Sequence, residues 1–226
     1  MQELDQLRAL GDPQHAERVA ARHKSGRETL GITPARLEEV VSGWRETLDA
    51  ESRVALARGL WDSNIHEARI AAARLLVQAR MRPDEEAWTL IRDWTPQIDG
   101  TDIGDAIAAA ASRRLASDPA RLDQIAEWLN SPNPWQRRGL LMATLPWAKM
   151  NHPKMADVQI RERVLDWALA LSSDRHGAVR QAVETWLRDL TKHDAERVAA
   201  WHEARAAMPA PSPADPAPDP APDQDL

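Results

Sequence analysis

The 226-residue chain has no cysteine, no tyrosine and no phenylalanine. Without thiols it has neither a disulfide framework nor a thiolate metal site. No apolar run approaches the roughly 18–20 residues of a membrane span. The polar start, Met1-Gln2-Glu3-Leu4-Asp5-Gln6, does not read as a secretory signal. There is no glycine-rich phosphate loop, no Ser-His-Asp arrangement and no zinc motif. The seven histidines, among them His23, His66, His176 and His193, show no ligand spacing supported by acids. No metal and no organic cofactor are therefore expected, and the chain reads as a cytoplasmic protein without membrane contact.

What is present favours helix. Alanine, leucine and arginine dominate, β-branched residues are scattered, and ten tryptophans supply all the aromatic bulk. From Met208 the sequence becomes a run of proline, alanine and aspartate with nothing apolar to bury. Residues 208–226 are accordingly expected to form a disordered acidic tail. That tail holds Asp215, Asp219, Asp223 and Asp225; setting these aside moves the formal charge of −6 to a body of 31 acids against 29 bases. A near-neutral body still binds nucleic acid if its arginines share a face, so net charge decides nothing here.

Upstream of the tail, apolar residues recur at three- and four-residue spacing. Breaks fall regularly. Thr33-Pro34 reads as an N-cap followed by proline at the first helical position. Asp49, Asp62-Ser63, Arg82-Pro83, Asp118-Pro119, Ser131-Pro132-Asn133-Pro134, Asn151-His152-Pro153 and Ser172-Ser173-Asp174 mark further turns. About twelve helices of ~8–18 residues result. Three look alike: those containing Glu67-Ala68-Arg69, Trp135-Gln136-Arg137-Arg138 and Val179-Arg180-Gln181-Ala182. Each follows an Asp or Asn turn and places an arginine near its start. Their separation of roughly 40–70 residues matches one or two helix-pair repeats, which predicts an all-α, HEAT-like solenoid over residues 1–207 with arginines on its inner helices.

Two segments carry chemistry. Ile98-Asp99-Gly100-Thr101-Asp102-Ile103-Gly104-Asp105 puts carboxylates at the start of one predicted helix. Trp128 through Arg138 puts paired arginines just inside another. Pattern alone accommodates a plain account as well: Asp99, Asp102 and Asp105 as capping and dipole-favoured acids, Trp128 and Trp135 as core, Arg138 in a structural ion pair, Arg180 as repeat consensus.

With these segments on the page, the chain resembles the AlkD-like DNA alkylation repair family, HEAT-like DNA glycosylases. Residues Ala21 to Ile32 are similar to that family's opening segment, and Glu67-Ala68-Arg69 to a later helix. Ile98 to Asp105 is similar to its Val-Asp-Asn-Trp-Asp-Leu-Cys-Asp signature. Ser131 to Arg138 is similar to Ser-x-Asn-x-Trp-x-x-Arg, and Val179 to Arg188 to its terminal helix. The resemblance covers most of residues 15–205, in order. It implies excision of cationic N3- or N7-alkylpurines from duplex DNA by a monomer, without a base-flipping pocket. By the same resemblance Asp105 is the catalytic carboxylate and Arg138 the phosphate clamp, with Arg137 beside it. Arg180 and Arg188 would lie on the last inner helices, Lys24 and Arg27 near the N-terminal end of the groove. Two family tryptophans are replaced, by Thr101 and Thr185; Trp94 and Trp186 are the neighbouring candidates to compensate. The alternatives are a DNA-binding relative that excises nothing and a protein-interaction scaffold.

Overall fold

A computed structural model describes residues 1–23, 25–78 and 80–207. Lys24 and the tail from residue 208 lie outside the described residues, so the expectations placed on them are not addressed by it. Among the described residues the chain is helical throughout and has no strand, the all-α class that the periodicity predicts. It divides into two compact units, Met1–Pro119 and Ala120–Leu226, within what the sequence reads as one domain.

The first unit contains α1 (Gln2–Ala9), α2 (Pro13–His23), α3 (Pro34–Thr47), α4 (Ala50–Asp62), α5 (His66–Leu75), α6 (Glu85–Trp94) and α7 (Thr101–Ser117). The predicted caps operate. The Thr33 side chain accepts the Arg36 backbone N–H with Pro34 at the first turn, and Asp49 accepts that of Ser52 at 2.8 Å. Helix α5 is the axis of the unit: nearly all its residues are buried, and α3, α4 and α7 pack around it. Ala68, Ala71, Ala72 and Ala73 have no exposed surface, so neighbouring backbones come close without voids. Beside them Trp61 and Trp94 stack at 4.4 Å and 6°, and the Arg69 guanidinium lies over the Trp61 ring at 4.4 Å.

The second unit contains α8 (Leu122–Ile125), α9 (Pro134–Ala143), α10 (Leu145–Ala148), α11 (Met155–Leu171), α12 (Gly177–Thr191) and α13 (Ala195–Ala206). Asn133 caps α9 by accepting the Trp135 N–H at 2.9 Å, again ahead of a proline. Around α8 the chain runs as short 3₁₀ pieces, Pro119–Arg121 and Ala126–Asn130, where the periodicity suggested longer helix. Trp128, Trp147, Trp167, Trp186 and Trp201 fill the core. Trp201 also donates its indole N–H to the Leu165 carbonyl at 3.0 Å, tying α13 to α11.

One backbone position fixes the entrance to the first unit. Gly31 has φ of +77°, and a Cβ there would stand 2.2 Å from the Asp12 carbonyl oxygen. Gly31→Ala therefore meets both a left-handed backbone and a backbone clash. It is expected to lower stability by roughly 2–4 kcal/mol, read as a fall in the midpoint of chemical denaturation with an unchanged slope.

Candidate functional site

The carboxylate segment lies within the first unit. Gly100 precedes α7 and offers no side-chain cap, while Asp102 lies in the first turn, where the helix dipole favours an acid. Asp99 pairs with Arg27 at 2.7 Å, and the Arg27 Nε donates to the Asn64 side-chain oxygen at 2.9 Å. With 8% of its side chain exposed, Arg27 is held inside the protein rather than displayed at a groove edge.

Asp102 is the centre of a different cluster. Its Oδ2 lies 2.9 Å from His23 Nε2, 3.2 Å from Arg22 Nη2 and 3.7 Å from His66 Nε2. The two imidazoles sit with ring centroids 4.6 Å apart. Hydrogen bonding from His23, then from His66, holds the Asp102 carboxyl far below the usual carboxylate range, although burial works in the opposite direction. His23 is 79 residues from Asp102 in sequence. No local spacing could have shown the group, because the fold alone brings the two histidines to Asp102.

Asp105 follows Asp102 by one helical turn and is exposed. Both carboxylates line a cavity of about 890 Å³ whose apolar wall includes Ile32, Leu37, Ile70 and Ala109. His15, Arg18 and Arg22 edge the same cavity. Asp105 is thus exposed on the cavity wall, and Asp102, one turn earlier, is engaged with His23, His66 and Arg22.

The wall of this cavity depends on a buried acid. Glu67, 2% exposed, accepts the backbone N–H groups of Leu30 at 2.8 Å, Gly31 at 2.7 Å and Ile32 at 3.3 Å. Glu67 lies in the segment that resembles a family helix, and its role as an acceptor for backbone amides is visible only in the fold. A glutamine there keeps the shape but turns an NH₂ group toward N–H donors. Glu67→Gln is expected to cost roughly 1–3 kcal/mol, measured by thermal or urea denaturation.

The arginine segment lies within the second unit. Arg137 is gripped by Asp174: Nε to Oδ2 at 2.6 Å and Nη2 to Oδ1 at 2.8 Å, with Nη1 donating to the Ser131 carbonyl at 2.7 Å. Neither partner's side chain is more than 9% exposed. Arg138 is also buried, at 6%. The expectation that such arginines line an inner surface is therefore corrected for Arg69, Arg137 and Arg138, because each folds into helix packing. Arg180 and Arg188 are exposed on α12; Arg180 Nη1 donates to the Asp174 carbonyl at 2.7 Å. Thr101 and Thr185 are half-buried. Trp94 is 3% exposed in its stack with Trp61, and Trp186 is fully buried, so neither tryptophan offers an open ring face. Trp128 is core as expected. Trp135, expected in the core, is half-buried and meets His176 edge-on at 5.3 Å.

The Asp174 carboxyl lies below its ordinary value. Burial raises it, but hydrogen bonds from Arg137 and from the His176 backbone outweigh that. A lowered carboxylate contributes stability above its unfolded pKa of about 3.9 and loses it as pH falls through the folded value. Asp174→Asn is expected to lose roughly 3 kcal/mol near neutral pH by stranding a buried guanidinium. The gap between variant and wild type should close as pH is lowered below about 4. A gap that persists unchanged in acid would show that the lock is not ionic.

Comparison with known proteins identifies the lineage. The family model described as DNA alkylation repair enzyme matches residues 4–213. The chain belongs to that family, and the membership points to DNA as its partner. The fold is similar to that of a predicted DNA alkylation repair enzyme from Enterococcus faecalis, with a TM-score of 0.72 at 17% identity, covering 88% of this chain and 92% of that one. No curated protein matches the sequence. Among the described residues no helix is long and apolar enough to cross a membrane.

Proposed function

We propose that this family member is a DNA glycosylase acting on cationic N3- or N7-alkylpurines in duplex DNA, with HEAT-type helix pairs as its scaffold. The observation that carries the reading is the exposed carboxylate of Asp105 on the wall of an open cavity, at the last position of the family-like signature. Alkylation gives the base a positive charge, so it leaves as a neutral species. The bond from the sugar C1′ to the base nitrogen breaks with its electron pair going to the base. The sugar acquires oxocarbenium character. Asp105 stabilises that charge and orients the water that adds to C1′. The reaction written this way needs no cofactor and only one protein chain. Among the arginines, the exposed Arg180 and Arg188 are the better phosphate ligands. Arg137 is committed to Asp174, and Arg138 is buried in the same helix.

One observation favours a second reading, a relative that binds DNA without excision. By the family resemblance Thr101 and Thr185 replace two tryptophans, and Trp94 and Trp186 are buried.

Release of 7-methylguanine from methylated duplex DNA separates the two. Wild type should release the base, and Asp105→Asn should be slower by roughly 10²–10³-fold. No release by either protein, with duplex binding intact, would establish the non-excising reading. Arg188→Ala and Arg180→Ala should each reduce the slope of log affinity against log salt by roughly 0.9, the loss of one phosphate contact. Weak duplex binding that neither arginine affects would instead favour a protein-interaction scaffold.

A further inference from the structure

The His23, His66 and Asp102 cluster has a use that the proposed glycosidic chemistry does not draw on. The three residues come from separate parts of the first unit: the last residue of α2, the first residue of α5 and the second residue of α7. Their ligand atoms, two imidazole nitrogens and one carboxylate oxygen, all lie within 4.8 Å of one another. A tetrahedral ion with bonds of about 2.0–2.1 Å to such atoms needs ligand-to-ligand edges of about 3.3 Å. The observed separations from Asp102 Oδ2, 2.9 Å to His23 and 3.7 Å to His66, bracket that value. The imidazoles are well fixed, with 12% and 6% of their side chains exposed.

We propose that His23, His66 and Asp102 form a binding site for a borderline divalent transition-metal ion of the zinc class. Imidazole nitrogens with one carboxylate suit such an ion better than Mg²⁺ or Ca²⁺, which take oxygen ligands. Three protein ligands leave the fourth position to water from the cavity that Asp102 lines. Bound there, the ion clips the end of α2 and the starts of α5 and α7 together. A clip that closes long loops stabilises more than one closing short loops. It also fixes the helix that carries Asp105, but the inference does not depend on the glycosylase reading.

Arg22 opposes the ion. Its Nη2 lies 3.2 Å from Asp102 Oδ2 and 3.3 Å from His23 Nε2, where its charge repels a second cation. Its side chain is 68% exposed, so it swings into solvent with little loss of packing. This makes a prediction that general affinity of surface carboxylates for cations does not share: removing Arg22 should tighten binding.

The test uses the full chain, stripped with a chelator, and titrated with Zn²⁺ by calorimetry and with Co²⁺ by visible absorption. Wild type should take up one equivalent, melt at a higher temperature with Zn²⁺, and show the intense d–d bands of four-coordinate Co²⁺. His23→Ala, His66→Ala and Asp102→Asn should each weaken binding at least tenfold and lose those bands. Arg22→Ala, at an exposed position, should strengthen binding several-fold. Circular dichroism of the metal-free proteins shows which variants are folded. Equal affinity in wild type and a folded His23→Ala would overturn the proposal and assign the cations to other carboxylates of the chain. Unchanged or weaker binding by Arg22→Ala would overturn it as well.

Discussion

The Glu67 carboxylate is the constraint on which the first unit depends. A buried carboxylate is costly unless hydrogen bonds replace its water. Here three successive backbone amides do so. Those amides point to one spot only because Gly31 takes a positive φ, making a concave anion-binding nest of the chain. The same stretch bonds back to the start of α2, where the Asp12 N–H donates to the Leu30 carbonyl at 2.9 Å. The His66 N–H at the head of α5 donates to the Glu28 carbonyl, also at 2.9 Å. One acid thereby holds α2, the approach to α3 and the first turn of α5 around the cavity. The positions of His23 and His66 beside Asp102 follow from that arrangement.

Guanidinium groups do similar work elsewhere, which changes how the charge of this chain is to be understood. Arg69, Arg114, Arg121, Arg137, Arg138 and Arg161 are all buried. Where their partners are seen, these are helix ends and loops as much as acids: Arg161 donates to the Trp147 carbonyl at 2.7 Å, and Arg137 to those of Ser131 and Pro132. A guanidinium has five donors in a rigid fork, so it closes off the free carbonyls where helices end. In a chain without tyrosine or phenylalanine, arginine joins tryptophan as the large side chain that connects elements. Counting bases therefore says little about a nucleic-acid surface, because those that stabilise the fold are not available to phosphate.

The features legible in the sequence were the local ones. Thr33, Asp49 and Asn133 cap helices because a short polar side chain reaches its own N–H groups two or three residues on, whatever surrounds it. The turn at Ser172-Ser173-Asp174 was legible for the same reason. The choice of side-chain partner across the fold was not. Arg137 and Arg180 have similar local contexts, yet one meets a buried Asp174 side chain and the other is exposed on α12. His23 and His66 looked unrelated because only packing of α2 against α5 and α7 brings them to Asp102. Trp186 differs from Thr185 by a single step, and that step of about 100° carries it from the margin into the core.

On the proposed reading, threonines in place of two aromatic faces do not by themselves remove the means for excision. An aromatic wall excludes water and positions the sugar, but the charge that must be stabilised is positive and a carboxylate acts on it directly. Two unit charges about 4 Å apart, at an effective dielectric near 20, interact by about 4 kcal/mol. That corresponds to nearly three powers of ten in rate if the interaction is made only in the transition state. The leaving group needs no acid, because alkylation has already given it a positive charge. Catalysis on the proposed reading thus rests on how firmly Asp105 is held. Its helix begins beside the cluster at Asp102, one turn before it. The contacts of Asp102 with His23 and Arg22 restrain the helix that carries this charge, and threonines at 101 and 185 leave that restraint in place.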